Sequence, residues 1–398
     1  MRTMPRSFEP AARLAVRLGI IGCAATLAIV PAGAAVARAA DQPGDPDLAA
    51  ARAALAQLSP IDRAGQLVMT SFSGTRLGAS DQRRLRTLRP GGVIVFGANY
   101  RSDDQLRRLN RAVQVAGRAG DASRPRLLVS IDQEGGAVKR IASAPPTRSQ
   151  PQLGAIDRAA TTRAQGRVTG QVLRSLGVNM NLAPVADLDS GPRHVMRERS
   201  YGRSARVVAR HAVAFVDGLQ AADVASSVKH FPGFGSASVN SDDALATISR
   251  TTRQLRAADL VPFRAAIQHG ADSIMISHGV YRSLDRRNPA SASPAAYRML
   301  RTTLGYDGVA ITDSLHASGF RRATRGTPAD GCVRTIAAGA DIALLTGSLV
   351  DALSCRARLV RAVRTGTLTQ ARVDEAALRV LRLKSRRGLL PILPASEG

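Results

Sequence analysis

Tryptophan is absent, and aromatic residues of all kinds make up 3% of the chain. Single-strand nucleic-acid binding on stacked aromatic platforms is therefore a poor fit. Lysine is nearly as scarce: of 56 basic residues only Lys139, Lys229 and Lys384 are Lys, and the rest are Arg. The formal charge of +26 thus reads as an Arg- and Ala-heavy composition. The Arg are scattered, with none of the long basic blocks that mark a nucleic-acid arm. Non-specific attraction to an acidic cell envelope is expected, and a specific nucleic-acid partner is not. No Cys/His spacing suggests a metal, and no early Gly-x-Gly-x-x-Gly turn marks a dinucleotide fold. No cofactor is expected.

Long apolar runs are missing too. Leu18–Val30 offers thirteen apolar residues, short of the roughly 20 a membrane span needs. Arg2, Arg6, Arg13 and Arg17 precede that run, and Ala37-Arg38-Ala39 follows it as a small-x-small cleavage site. Residues 1–39 therefore read as an export signal. Ile20-Ile21-Gly22-Cys23 offers a competing lipidation motif at Cys23. Beyond the signal two cysteines remain, Cys332 and Cys355. In an oxidising compartment they can bridge, and two buried thiols are the equal alternative.

Residues 40–58 read as a polar linker and a lead-in helix. From there a short apolar run recurs eight times: QLVMTSF (66–72), GGVIVFG (91–97), RLLVSID (126–132), GVNMNLAP (177–184), ASSVKHF (225–231), DSIMISH (272–278), GVAITD (308–313) and DIALLT (341–346). Segments with helical apolar spacing separate them, which predicts βαβ units and a parallel sheet. Eight units predict an α/β fold with a single (β/α)8 TIM-type barrel over residues 59–385, followed by a tail at 386–398. Asp132, Lys229, His230, His278 and Asp313 all fall at or near the C-terminal ends of different runs. In a barrel those ends converge on the face that carries the active site.

IDQEGGAVKR (131–140), NMNLAPVADL (179–188), ERSYG (198–202), KHFPGFG (229–235), SIMISH (273–278), ITDSL (311–315) and GADIALL (339–345) resemble, in order, the landmarks of the family 3 glycoside hydrolases. The resemblance covers roughly residues 60–385 and is nearest to the single-domain bacterial β-N-acetylglucosaminidases. It implies a carbohydrate substrate, terminal N-acetylglucosamine of cell-wall fragments in first place, and a retaining mechanism. Asp313 takes the place of the nucleophile; a strand-end Asp that only caps the next helix is the plainer alternative. Asp132 resembles the acceptor of non-reducing-end hydroxyls, and Arg199, Lys229 and His230 the polar grip on the same sugar. In a chain that writes its cations as Arg, Lys229 also suggests a need for a compact point charge. His278 is equally readable as a core histidine or a site wall, and Asp187 as structural. A monomer is expected.

One loop departs from the family. Its acid/base loop typically reads KHFPGHG and then Asp-Ser-His, where the His is acid and base and the Asp holds it. The corresponding residues here are Phe234, Asn240 and Asp242, and no second domain is expected to supply a replacement. Three accounts stay open. Asp242 can serve as the acid with Asn240 in place of a repelling Asp; the enzyme can keep only its nucleophile; or the chain can be a non-catalytic sugar-binding relative. Asp243, Glu198 and Glu134 are weaker substitutes for the acid. In the plainest reading, SASVNSDD is a mobile surface segment with no role.

Overall fold

The computed structural model describes residues 44–391; the expected signal segment, Cys23 and the last seven residues lie outside them. All eight apolar runs become strands: β1 Val68–Thr70, β2 Gly92–Val95, β3 Leu128–Ile131, β4 Met180–Asn181, β5 Ala225–Phe231, β6 Ser273–Ile276, β7 Val309–Ser314 and β8 Ile342–Leu345. Each pairs in parallel with its neighbours in the chain, and β8 closes on β1 through Val68 opposite Ala343. The predicted eight-stranded (β/α)8 barrel is the observed one.

Local sequence explains why the elements start where they do. Ser102, Ser149, Thr327 and Ser348 each cap a helix through a side-chain oxygen that accepts from a first-turn N–H, which satisfies a donor the helix cannot. The shortest strand, β4, is reinforced by side chains. Asn179 and Asn181 exchange both amide groups with the backbone of β3 and its extension: Asn179 bonds Val129 and Leu127, Asn181 bonds Gln133.

Strand alternation divides the core in two. Met69, Ile94, Leu128, Met180, Met275, Ile311 and Leu344 fill the barrel. Val68, Val93, Val129, Val228 and Ala310 face the surrounding helices. The barrel floor comes from the last helix, Gln370–Arg386, whose Val380 and Leu383 enter the interior cluster together with Leu389. The first residues of the expected tail continue this packing, for Leu389 is buried and its carbonyl accepts from Arg126 N–H at 2.8 Å. Hydrophobic closure of the floor carries the ordered chain past the helix end. The lead-in helix, Pro46–Ala56, packs on that last helix, and Arg382 clamps Asp45 at 2.6 Å. Cys332 and Cys355, both fully buried, form a disulfide between the helices Pro328–Ala338 and Leu349–Arg364.

The floor also holds a buried cation. Lys384 is fully buried, its ammonium donates to Gln66 Oε1 at 2.7 Å, and burial pushes it down to about 7. An unfolded Lys titrates near 10.5, so unfolding takes up a proton between those values. Its contribution to stability is complete above pH 10.5 and is lost as pH falls through 7. Lys384→Met should therefore help most at pH 6 and least at pH 10, a swing on the order of 3 kcal/mol. Denaturant titrations of both proteins at the two pH values check this; a difference that does not move with pH would count against a buried titrating ammonium.

Candidate active site

All six residues singled out for chemistry or sugar contact line one cavity of about 500 Å3 at the C-terminal mouth of the barrel: Asp132, Arg199, Lys229, His230, Asp242 and Asp313. Asp132 follows β3, Arg199 comes from the turns after β4, Lys229 and His230 lie in β5, Asp242 follows β5, and Asp313 lies in β7.

One wall is a sealed set of four charges. Lys229 Nζ lies 2.7 Å from Asp132 and 2.8 Å from Glu134. Arg199 grips Glu134 with two parallel bonds of 2.6 and 2.9 Å. Burial alone would raise Glu134, yet Arg199 and Lys229 outweigh it and bring its carboxyl to about 2. Burial would likewise lower Lys229, and the Asp132 and Glu134 charges turn that into a rise. Glu134 is 1% exposed at its side chain, whereas Asp132 keeps 14% and Arg199 20%. Glu134 is thus the anchor, and the other two carry the surface open to a ligand. Sequence reasoning set Glu134 aside as a weak acid. The available signal was the extended Asp132-Gln133-Glu134 spacing, which puts residues two apart on one face.

The loop after β5 is built around Asp187, which is fully buried. Its carboxylate accepts from the His230 ring at 2.6 Å, from His230 N–H and from Phe234 N–H at 2.6 Å. The two glycines of Gly-Phe-Gly follow from crowding. Gly233 has φ +118°, and a Cβ there would lie 2.6 Å from Asp259 Cβ; a Cβ on Gly235 would meet the Leu188 carbonyl at 2.1 Å. Phe234 fills the cavity wall between them.

The loop then presents Asn240, Ser241 and Asp242 to the cavity. Asp242 N–H donates to Asn240 Oδ1 at 3.2 Å, and Asn240 Nδ2 reaches Asp242 Oδ2 at 3.4 Å. Desolvation on the cavity side and then the Asp313 charge raise Asp242, against His230, the Asn240 hydrogen bond and Arg199, which pull it down; the residue is exposed to solvent, which screens all of these. Asp313 moves the other way. Burial would raise it, but the imidazoles of His278 and His230, the Ser314 N–H at 2.7 Å and the Lys229 ammonium together lower it.

His278 does not reach the cavity. It is fully buried, bonded to Ser291 Oγ and to the Ser314 carbonyl, and burial lowers its pKa although Asp313 opposes that. It is therefore a core support under Asp313 and not a site wall. His316, which with the remaining histidines reads as structural in the sequence, does line the cavity. It pairs with Asp351 at 3.2 Å from the first turn of the helix after β8. Glu198 and Asp243 do not line the cavity. Among the described residues no group of His, Cys, Asp and Glu is arranged to hold a metal ion.

Breaking a glycosidic bond calls for two carboxyl groups with separate duties and for fixed partners to the sugar hydroxyls. A (β/α)8 barrel with this mouth stands among the glycoside hydrolases. Comparison with known proteins gives the family: the profile of the Glycosyl hydrolase family 3 N terminal domain matches residues 61–383, and the chain belongs to that family. It is 33% identical over 288 residues to a beta-hexosaminidase of Nitrosospira multiformis, covering 70% of this chain and 79% of that protein. An uncharacterised secreted glycosyl hydrolase of Arthroderma benhamiae is 33% identical over 347 residues, 85% of this chain and 97% of its own. Among solved structures, a family 3 β-N-acetylglucosaminidase from a Paenibacillus species superimposes with a TM-score of 0.79 at 34% identity. That match covers 85% of this chain and 65% of the Paenibacillus chain.

The depressed carboxyl of Glu134 is a stability statement. Its contribution is present above the unfolded value of 4.5 and is lost as pH falls toward 2. Glu134→Gln should destabilise the fold by on the order of 3 kcal/mol at pH 7, because two buried cations lose their shared partner. The gap to the parent should narrow below pH 4.5. Urea melts of both at pH 7 and pH 4 decide; an unchanged melt at pH 7 would remove Glu134 as the anchor.

Proposed function

We propose that the protein is an exported retaining β-N-acetylhexosaminidase that removes terminal N-acetylglucosamine-type sugars from cell-wall glycan fragments. The observation that carries this reading is geometric: Asp313 at the end of β7 and Asp242 on the loop after β5 line one cavity together with Asp132, Arg199, Lys229 and His230, and their surroundings shift them in opposite directions, Asp313 down and Asp242 up. Opposed shifts of this kind sort a pair into nucleophile and acid. The sugar itself is carried over from the β-hexosaminidase and β-N-acetylglucosaminidase names of the relatives.

In this reading Asp132, Arg199, Lys229 and His230 hold the hydroxyls of the terminal sugar. Asp313 attacks the anomeric carbon while protonated Asp242 gives its proton to the departing oxygen, leaving a glycosyl ester on Asp313 and a carboxylate on Asp242. Asp242 then takes a proton from water as that water attacks the same carbon. The ester bond breaks, Asp313 is freed as carboxylate, and configuration is retained. The barrel of residues 59–385 acts as a monomer on a carbohydrate substrate without a cofactor.

The test is release of dinitrophenol, which needs no protonation, compared with release of a phenol of high pKa from the matching aryl β-N-acetylglucosaminides. Asp313→Asn should abolish both. Asp242→Asn should slow the poor leaving group by roughly 100-fold or more and the dinitrophenyl substrate far less. Equal losses on both would remove Asp242 as acid. No turnover of any activated glycoside by the folded parent would favour a sugar-binding relative instead.

Export is supported by the buried Cys332–Cys355 disulfide, a bond at home in oxidising compartments, and by the secreted relative. Intact-mass measurement of the protein recovered from its native cells should show removal of residues 1–39. A full-length, unmodified mass would overturn processing there, and a lipid-bearing Cys23 would redirect the reading to an anchored protein.

A further inference from the structure

We propose that an open groove beside the Asp242 loop, walled by Arg321, Arg322 and Arg325, is a subsite for an anionic group on the glycan unit that leaves. The inference rests on the glycosidase reading above with Asp242 as acid. A residue that protonates the departing oxygen marks the side on which the departing unit lies, and the groove is next to that side: Ala317 lines the cavity and its neighbour Ser318 lines the groove.

The groove encloses about 620 Å3 and includes Ser318, Thr327 and Asp330 besides the three Arg. Ser318 ties it to the acid loop: its N–H donates to the Asp242 carbonyl at 3.0 Å, and Gly319 N–H donates to the Ser241 carbonyl at 2.9 Å. The Arg sit on and just past the short helix Ser318–Thr324, all three exposed, with Arg321 and Arg325 one turn apart. Among the described residues none of these guanidinium groups has an ion pair or hydrogen bond. Elsewhere at the mouth the cations are already matched, Arg140 by Asp132 and Arg199 by Glu134. The one carboxylate in the groove, Asp330, is itself engaged by Arg358 and Thr327.

Three unmatched guanidinium forks lining one recess suit the paired oxygens of a carboxylate or a phosphate. Both groups share that chemistry, and a neutral sugar or aryl group gains nothing from it. The attraction is solvent-exposed, so it is modest and salt-sensitive.

The probes are three non-hydrolysable 1-thio-β-N-acetylglucosaminides that differ at one position of the aglycone: 4-carboxyphenyl, 4-phosphonophenyl and the neutral methyl ester of the first. Their Kd values are measured by calorimetry in 50 mM salt for the parent, for R321Q/R322Q/R325Q, and for R83Q/R86Q/R111Q. The last removes the same charge from exposed positions on the helices Ala79–Leu88 and Asp103–Gly117. The parent and the control triple should bind the anionic probes roughly five-fold tighter than the ester, and the groove triple should bind all three alike. A larger preference for the phosphonate assigns the groove to phosphate, and the reverse assigns it to carboxylate. Equal affinity of the parent for acid and ester overturns the groove while leaving the sugar reading intact. So does a preference that survives in the groove triple, or one that falls equally in the control. Binding of none of the three overturns the sugar reading and the groove with it.

Discussion

Four charges sealed together at the barrel mouth set the geometry on which everything else rests. Taking any one of Asp132, Glu134, Lys229 or Arg199 out of water costs several kcal/mol. The arrangement persists because the set is neutral in sum and each charge is matched: Lys229 by two carboxylates, Glu134 by both cations. Asp132 and Glu134 come from the segment just after β3, Lys229 from β5 and Arg199 from the turns after β4, so their mutual attraction fixes the ends of three strands against one another. Asp132 and Arg199 therefore hold their open edges in place before any ligand arrives. Such preorganisation would, in the proposed function, let binding energy go into orienting a sugar instead of assembling the site.

A second constraint connects this wall to the carboxyl groups of Asp242 and Asp313. Asp187 turns the chain after β5 by collecting donors from His230 and Phe234. The loop it starts is polar and reaches the surface, yet it is not left free at its far end. Amide groups of Ser318 and Gly319, just beyond β7, hold the carbonyls of Asp242 and Ser241. Gly319 permits that approach, because a Cβ there would lie 2.4 Å from the Ala244 carbonyl. Asp242 and Asp313 thus belong to segments fastened by backbone bonds, and their spacing does not depend on side-chain packing of a mobile loop.

Much of this was legible in the sequence, for identifiable reasons. Eight short apolar runs could be read as strands because each is buried on both faces and bounded by helical spacing. The residues lining the cavity could be chosen because strand ends in a barrel converge. What escaped was set by partners distant in the chain. Glu134 is defined by Arg199 and Lys229, Asp187 by the loop forty residues later, and the floor by Leu389 and Lys384 closing on strands from the other end of the chain. Lysine scarcity was the best single clue and was only half used. Lys229 and Lys384 are both buried, one between two carboxylates and one against a single amide oxygen. In each place a compact ammonium fits where a guanidinium would not.

Under the proposed function, with Asp313 as nucleophile and Asp242 as acid, Asn240 and Asp242 in place of the Asp–His pair expected from the family resemblance form a coherent set once the Asp313 charge is followed through a retaining cycle. Before reaction that charge helps raise Asp242, which favours the protonated form an acid must have. A third carboxylate at position 240 would crowd the same space; Asn240 instead offers one acceptor and one donor to Asp242. Once Asp313 becomes a neutral ester, its push on Asp242 disappears, and the carboxyl drops toward an ordinary value. The proton has by then gone to the departing oxygen, and an ionised Asp242 is the form that can take one from water. In the proposed cycle the charge on Asp313 would thereby retune Asp242 between the two half-reactions, which is how a carboxyl group at this position would serve as acid and base without an imidazole.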